Sequence, residues 1–329
     1  MNRAAPWQAV WLTWENHRRS REIAARLAMP LLVLQSSAPY LLRGFKLSVQ
    51  TTWMLLCRRP QTVVVQNPSL LLATVACLVT PLYGGRVIVD RHSNFKLHTR
   101  TSRDPKYKLF HLLSRWTVRH ANLTIVTNAK LASLVETWGG RAFVLPDPIP
   151  DLGSPVPAPD PSQALIVFVC SHSHDEPLAE VLGAARLLPQ NVSVHITGNA
   201  DRSPRALIES APPNVVFTGY LDEEAYIRLI SSASAVLSLT TQPHTLTCSA
   251  YEAVAVGTPL VISDSDDLKT HFRRGTVVTA NTASEIAHAI ARALDKQAEL
   301  RDEIAALKQE LAHEWESRRG ALLATFACL

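Results

Sequence analysis

The sequence reads as an α/β chain of two domains, each built on a parallel sheet, and three observations point there. Short apolar strands alternate with helical patterns along the whole length, as parallel sheets with helical crossovers require. From Pro146 to Pro161 the chain has seven prolines and neither pattern, as a stiff linker does. The charge changes sign there: residues 1–150 hold 20 Lys and Arg against 6 Asp and Glu, and residues 151–329 hold 13 against 22. With 329 residues and 47% hydrophobic content, each half can build a core. The expected division is a basic domain over 1–150, a linker over 151–163, and an acidic domain with a terminal helix over 164–329.

In the first half, Ala9 to Thr13 is a strand, Trp14 to Arg21 a charged loop, and Glu22 to Leu27 the start of a helix. Ligands of an open parallel sheet sit at the carboxyl ends of its strands. Glu15, His17, Arg18 and Arg19 therefore lie on the rim of a crevice, or else form a solvated basic turn. Pro30 to Leu34 is the second strand. Tyr40 to Leu56 is helical, with Arg43, Lys46, Arg58 and Arg59 on or after it; this suits a membrane-facing surface or a packed helix with a basic edge. Thr62 to Val65 is a strand and Leu70 to Leu82 a helix. Gln61 to Gly85 carries no charge, but Pro68 and Pro81 leave about 12 apolar helical residues where a membrane span needs about 20. Arg86 to Val89 is the fourth strand. Asp90 and His92 follow it, suited to acid/base work, to a sugar hydroxyl or to a structural hydrogen bond. Phe110 to His120 and Lys130 to Trp138 are helices, and Leu123 to Thr127 and Phe143 to Leu145 strands.

In the second half, Leu165 to Val169 is a strand running into Ser171, His172, Ser173, His174, Asp175 and Glu176. Their spacing is not a chelating one, so no metal is expected. Leu178 to Leu187 is a helix, Val192 to Thr197 a strand ending at Gly198, and Val215 to Phe217 a strand followed by Gly219, Tyr220 and Leu221. Asp222, Glu223 and Glu224 open a helix to Ser231, as its dipole favours. Ala235 to Leu239 is the next strand. After a polar loop comes a helix over Ala250 to Val256, ended by Gly257, and then the strand Pro259 to Ser263. Thr245, Thr247 and Ser249 surround that helix start, where free amides and the dipole favour phosphate, although an ordinary capped helix has the same local pattern. Glu252, one turn in, would repel phosphate yet accept hydrogen bonds from a ribose. From Ser284 an apolar stripe through Ile286, Ile290, Ile304 and Leu311 marks one or two packing helices.

No GxGxxG or P-loop sequence occurs, so neither a nicotinamide fingerprint nor a P-loop is present. Five cysteines without a CxxC pair fit reduced thiols in a cytosolic setting, and the charged stretch from Glu15 to Arg21 does not fit a signal peptide. The basic first half is drawn to anionic surfaces. Without a nucleic-acid motif, an acidic membrane surface is the expected partner and nucleic acid is not.

Glu252-Ala253, followed by Gly257-Thr258-Pro259 and an apolar strand, resembles the nucleotide-sugar site of GT-B glycosyltransferases, whose two Rossmann-like domains face each other across a cleft. The resemblance implies that Glu252 holds the donor ribose and the helix start its diphosphate. Many members carry a second glutamate eight positions earlier, where this chain has His244. Four further segments resemble, in order, those of chitobiosyldiphosphodolichol β-mannosyltransferases and related bacterial polysaccharide enzymes. They are Arg19-Ser20-x-Glu22, Asp90-x-His92-x-Asn94-Phe95, Ser171-x-Ser173-x-Asp175-Glu176 and Ile196-Thr197-Gly198, with Arg91 in place of a tryptophan and Ser93 inserted. Donor contacts are then expected from Ser171, Gly198, Tyr220, Leu221, His244, Thr245, Leu246, Thr247, Ser249 and Glu252. Arg18 and Arg19 would face the acceptor. If the reaction inverts, Asp90, His92 or Glu15 is the base. The implied protein is a cytoplasmic glycosyltransferase, peripherally bound to a membrane, its C-terminal helix returning toward the first domain. It moves a sugar from a nucleotide-diphosphate sugar to a glycan or lipid-linked acceptor without cofactor or metal. An epimerase or phosphorylase of the same fold, or a non-catalytic binding subunit, fits the same residues.

Overall fold

The computed structural model describes residues 8–67, 69–93, 95–153 and 164–329, apart from the side chains of residues 40 and 41. Asn94 and positions 154–163 of the expected linker lie outside the described residues. The chain divides into two compact units, residues 1–148 with 314–329, and residues 149–313. The last residues of the terminal helix thus belong to the first unit.

The first unit runs β1 (Ala9–Thr13), α1 (Arg18–Arg26), β2 (Leu31–Val33), α2 (Tyr40–Arg58), β3 (Thr62–Asn67) and α3 (Leu70–Val79). It continues through β4 (Arg86–Arg91), α4 (Pro105–His120), β5 (Leu123–Val126), α5 (Ala129–Thr137) and β6 (Ala142–Val144). All six strands are parallel, in the order β2-β1-β3-β4-β5-β6. Such a sheet is covered on both faces, so the middles of its strands are apolar: Val63, Val64 and Val65 are all buried. Val10 and Leu12 face a core shared with Met54, Leu72 and Ala76. Trp11, Val64 and Ile88, on the opposite face, pack with Ile23 and with Trp315 and Leu322 near the C-terminus.

Several boundaries differ from the sequence expectation, among them the start of α4 at Pro105 rather than Phe110, and two concern the rim. Helix α1 starts at Arg18 rather than Glu22, and β4 extends through Asp90 and Arg91. One contact explains both. Arg19 is 3% exposed and Asp90 0%. Arg19 Nη2 donates to Asp90 Oδ1 at 2.8 Å and Nε to Oδ2 at 3.0 Å. Arg19 also donates to Asp147 and to the Leu145 carbonyl. Burial alone would push the Asp90 carboxyl up, but the Arg19 guanidinium outweighs it and holds Asp90 well below the usual carboxylate range. Arg91 is buried too, lying over the Phe95 ring at 4.3 Å and bonded to Ser114 Oγ at 3.0 Å.

The second unit runs β7 (Ala164–Phe168), α6 (Leu178–Leu187), β8 (Val192–Thr197), α7 (Arg205–Glu209), β9 (Val215–Gly219) and α8 (Glu223–Ser232). It continues through β10 (Ala235–Ser238), α9 (Cys248–Val256), β11 (Leu260–Ser263), α10 (Asp266–His271), β12 (Thr276–Thr279) and α11 (Ala283–Asp295). Helix α12 (Gln297–Cys328) leaves this unit after His313. Its six strands are also parallel, in the order β12-β11-β10-β7-β8-β9. β12 is a four-residue strand without a distinctive pattern, and sequence reading passes over it. Gly198, just beyond β8, has φ of 90°, and a Cβ there would meet the Cys170 carbonyl oxygen at 2.1 Å. The glycine is thus required by the close approach of the chain that follows β7.

Asp90→Asn should destabilise the first unit by about 3–5 kcal/mol at neutral pH, because Arg19 keeps its burial and loses its main partner. Since the native pKa is depressed, this stabilisation is present above the unfolded carboxylate value, about 3.9, and is lost as pH falls below it. Urea unfolding at pH 7 and pH 3 measures both, and the gap between wild type and variant should narrow at the lower pH. Gly198→Ala should lower the melting temperature of the second unit by several degrees, through positive φ and backbone overlap together.

Candidate functional site

The second unit's sheet reverses direction between β7 and β10: the chain builds outward through β8 and β9, then returns to build through β11 and β12. A crevice outside the carboxyl ends of the strands forms at such a point. Two loops border it, one after β7 and one after β10, and they are tied together. Thr241 N donates to the Asp175 carbonyl at 2.7 Å and Thr240 Oγ1 to Asp175 Oδ2 at 3.0 Å. Within the β7 loop Glu176 accepts from the Ser173 amide at 2.8 Å and from the Ser171 amide and hydroxyl. Asp175 and Glu176 are therefore anchors of the loop, and Ser171 is already engaged. Among the described residues no group of three or more His, Cys, Asp and Glu could hold a metal ion.

Helix α9 starts at this crevice. Its N-cap, Thr247, makes no side-chain cap, and no acidic residue stands in its first turn. In the same unit α6, α8 and α11 carry Glu there, while α7, like α9, has no first-turn acid. Neither an N-cap side chain nor a first-turn carboxylate thus offsets the positive end of this helix. The hydroxyls expected to line the mouth are placed differently. Ser238 Oγ, at the end of β10, lies 2.6 Å from both Thr247 Oγ1 and Ser249 Oγ. Ser238 so fixes the turn, and the backbone of 247–249 rather than a ring of side chains forms the mouth. Thr245 Oγ1 leans on the Pro243 carbonyl at 3.4 Å, and Leu246 packs on the core. Glu252 is half-buried and accepts from Tyr226 OH at 2.5 Å. His244, with φ of 58°, has Nδ1 2.9 Å from Asp267 Oδ2. Tyr220 is 91% exposed just past β9; its neighbour Leu221, with Ala225 and Leu229, lines a shallow hollow of about 460 Å³ that Tyr220 does not line.

The first unit's sheet reverses between β1 and β3. A pocket of about 370 Å³ lies at that point, lined by Trp14 and Glu15 after β1, Ser69 and Leu70 after β3, and Lys106 and Phe110 on α4. Glu15 is exposed. His92 follows β4, its ring stacked on His17 at 5.0 Å and its Nδ1 3.8 Å from Asp90 Oδ2. Burial, then the neighbouring His92, pushes the His17 pKa down. Arg19 and Asp90, expected at acceptor and proton, are instead each other's partners in the interior. An arginine and an aspartate that would each be costly to bury alone are stable there together. Arg18, on the same turn, pairs with Glu22 at 3.7 Å and is partly exposed.

Sequence reasoning missed Tyr226, Ser238, His17's stacking and Asp147. Each acts through a partner 9 to 128 residues away. Only Ser238, a hydroxyl at the end of an apolar strand, carried a local signal.

A family described as "Glycosyl transferase-like" matches residues 177–324. No curated protein matches the chain. Among solved structures, the sucrose-phosphate synthase of Thermosynechococcus elongatus superposes with a TM-score of 0.78 at 16% identity, covering 97% of this chain and 98% of that one. Anabaena HepE in complex with UDP-glucose gives 0.75 at 13% identity, over 98% and 100% of the two chains. A glycosyltransferase from Rickettsia africae gives 0.69 at 9% identity, over 98% of each. With its two parallel six-stranded sheets and their surrounding helices, the chain has the GT-B glycosyltransferase fold.

Proposed function

We propose that the protein is a cytoplasmic glycosyltransferase that moves a hexosyl group from a nucleotide-diphosphate sugar to a glycan or lipid-pyrophosphate-linked acceptor at a membrane surface. The observation that carries the reading is the uncapped, acid-free start of α9 at the sheet reversal, with Glu252 held by Tyr226 one turn in. In this reading the amides around Thr247 and Ser249 bind the diphosphate, Glu252 the ribose, and the exposed Tyr220 with Leu221 the base. HepE, a structural neighbour, is seen with UDP-glucose, which supports uracil as the first base to try. The segments resembling β-mannosyltransferases favour a pyrophosphate-linked acceptor.

The acceptor hydroxyl oxygen attacks the anomeric carbon as the bond to the diphosphate oxygen breaks. The electron pair of that bond stays on the diphosphate, whose charge the helix amides stabilise, and no metal or cofactor is required for that step. If the configuration inverts, the proton goes to His92 or Glu15. Asp90 stays ionised beside Arg19, with its carboxylate 3.8 Å from His92 Nδ1, and does not take the proton itself.

Nucleoside diphosphates should raise the melting temperature, since a ligand bound only by the native state adds about 2.7 kcal/mol at a hundredfold excess over Kd. Absence of a shift with every diphosphate would leave a non-catalytic binding subunit. Appearance of an epimerised nucleotide sugar without transfer would leave an epimerase. Glu252→Gln should lower kcat/KM for the donor by one to two orders of magnitude, about 1.5–3 kcal/mol for a charged hydrogen bond, with the fold unchanged. Tyr226→Phe should act in the same direction and more weakly. Turnover at the wild-type level in the Glu252 variant would remove the donor assignment.

A further inference from the structure

The first unit carries a surface that the chemistry above does not use. On α2, Leu42, Phe45, Val49, Trp53 and Leu56 recur at helical spacing and all are exposed, Phe45 at 69% and Trp53 at 70%. Helix α3 packs against both α2 and α4, and each neighbour adds exposed leucines, Leu71 and Leu109 among them. Single exposed apolar side chains are ordinary, but ten large ones on adjoining helices and the turn after α3 need a partner.

Charge decides which partner. Between Glu22 and Asp90 the sequence has no acidic residue, and residues 40–120 hold 13 Lys and Arg against 2 Asp. One of those two is Asp90, paired with Arg19 in the interior. Arg43, Lys46, Arg58 and Arg59 are exposed on or beside the stripe. A second copy of the same face would set like charges against each other. Nucleic acid would meet the cations but leave the leucines and valine in water. A bilayer with anionic headgroups satisfies both, and exposed Phe and Trp are side chains that settle at its interface.

We propose that α2 lies flat on an anionic membrane, with Phe45, Val49 and Trp53 in the acyl boundary and Lys46, Arg58 and Arg59 on the headgroups. The pocket at Glu15 has Phe45, Leu71 and Leu109 in its lining, so it opens on this face and a lipid-linked acceptor reaches it from the bilayer surface. The inference deepens the membrane half of the proposed function and rests on it, while donor binding stands on the other unit.

The test is co-sedimentation of the full chain with vesicles of phosphatidylcholine alone or mixed with phosphatidylglycerol. The wild type should pellet with the mixed vesicles and remain in solution with the neutral ones. Val49→Ser with Trp53→Ser, and separately Lys46→Glu with Arg59→Glu, should each weaken binding about tenfold or more. All four positions are exposed, so the melting temperature and its shift with nucleoside diphosphate should not change. The proposal is overturned if the wild type ignores anionic vesicles or if the variants pellet as it does. It is equally overturned if the chain is a dimer that the Val49/Trp53 variant converts to monomer, since a second copy then covers the face. A missing nucleotide shift alongside intact vesicle binding would instead sink the donor assignment and leave the docking face standing.

Discussion

The ionic cluster of Arg19, Asp90 and Asp147 organises the first unit's functional edge. A guanidinium shut away from water is tolerable only if carboxylates and carbonyls reach it. That requirement brings together the start of α1, the end of β4 and the segment after β6. It leaves His92 beside the cluster with His17 stacked on it, a base candidate whose surroundings are set by charges that do not move. The residues that look most reactive in the sequence are thus the ones that hold the place for a neighbour.

The second unit uses hydroxyls and amides where the first uses ions. Ser238 joins Thr247 and Ser249, Asp175 joins the two bordering loops, and Asn281 links Ser263 to the Thr240 carbonyl. These bonds leave the start of α9 without a cap of its own, which is the condition for binding a foreign anion.

Much of this was legible in the residues. Short apolar runs such as residues 63–65 announce a buried parallel strand, and Gly257 before Pro259 announces the end of α9, where φ is 78°. The strand-end loops expected to rim a crevice do lie where the strand order of each sheet reverses. What stayed hidden depends on distance in sequence. Nothing local in Arg19 says that it lies under Asp90, 71 residues on, so α1 was expected to begin too late. The residue type at Gly198 is set by the Cys170 carbonyl, 28 positions earlier, which excludes a side chain there. Thr247 and Ser249 looked outward until Ser238 was seen beside them. A motif marks where chemistry is possible, and the long-range partner decides which atoms remain available for it.

The stretch from residue 23 to residue 89, which contains α2 and α3, has no Asp, no Glu and no His. Its cations are Lys and Arg, whose protons leave only above about pH 10. Their charge is therefore the same in an acidified cell as in a resting one. Ionic strength, by contrast, acts directly, since the screening length falls from about 10 Å at 0.1 M to about 3 Å at 1 M. Attachment through these helices would be governed by salt and by the lipid composition of the bilayer, and would be deaf to protons.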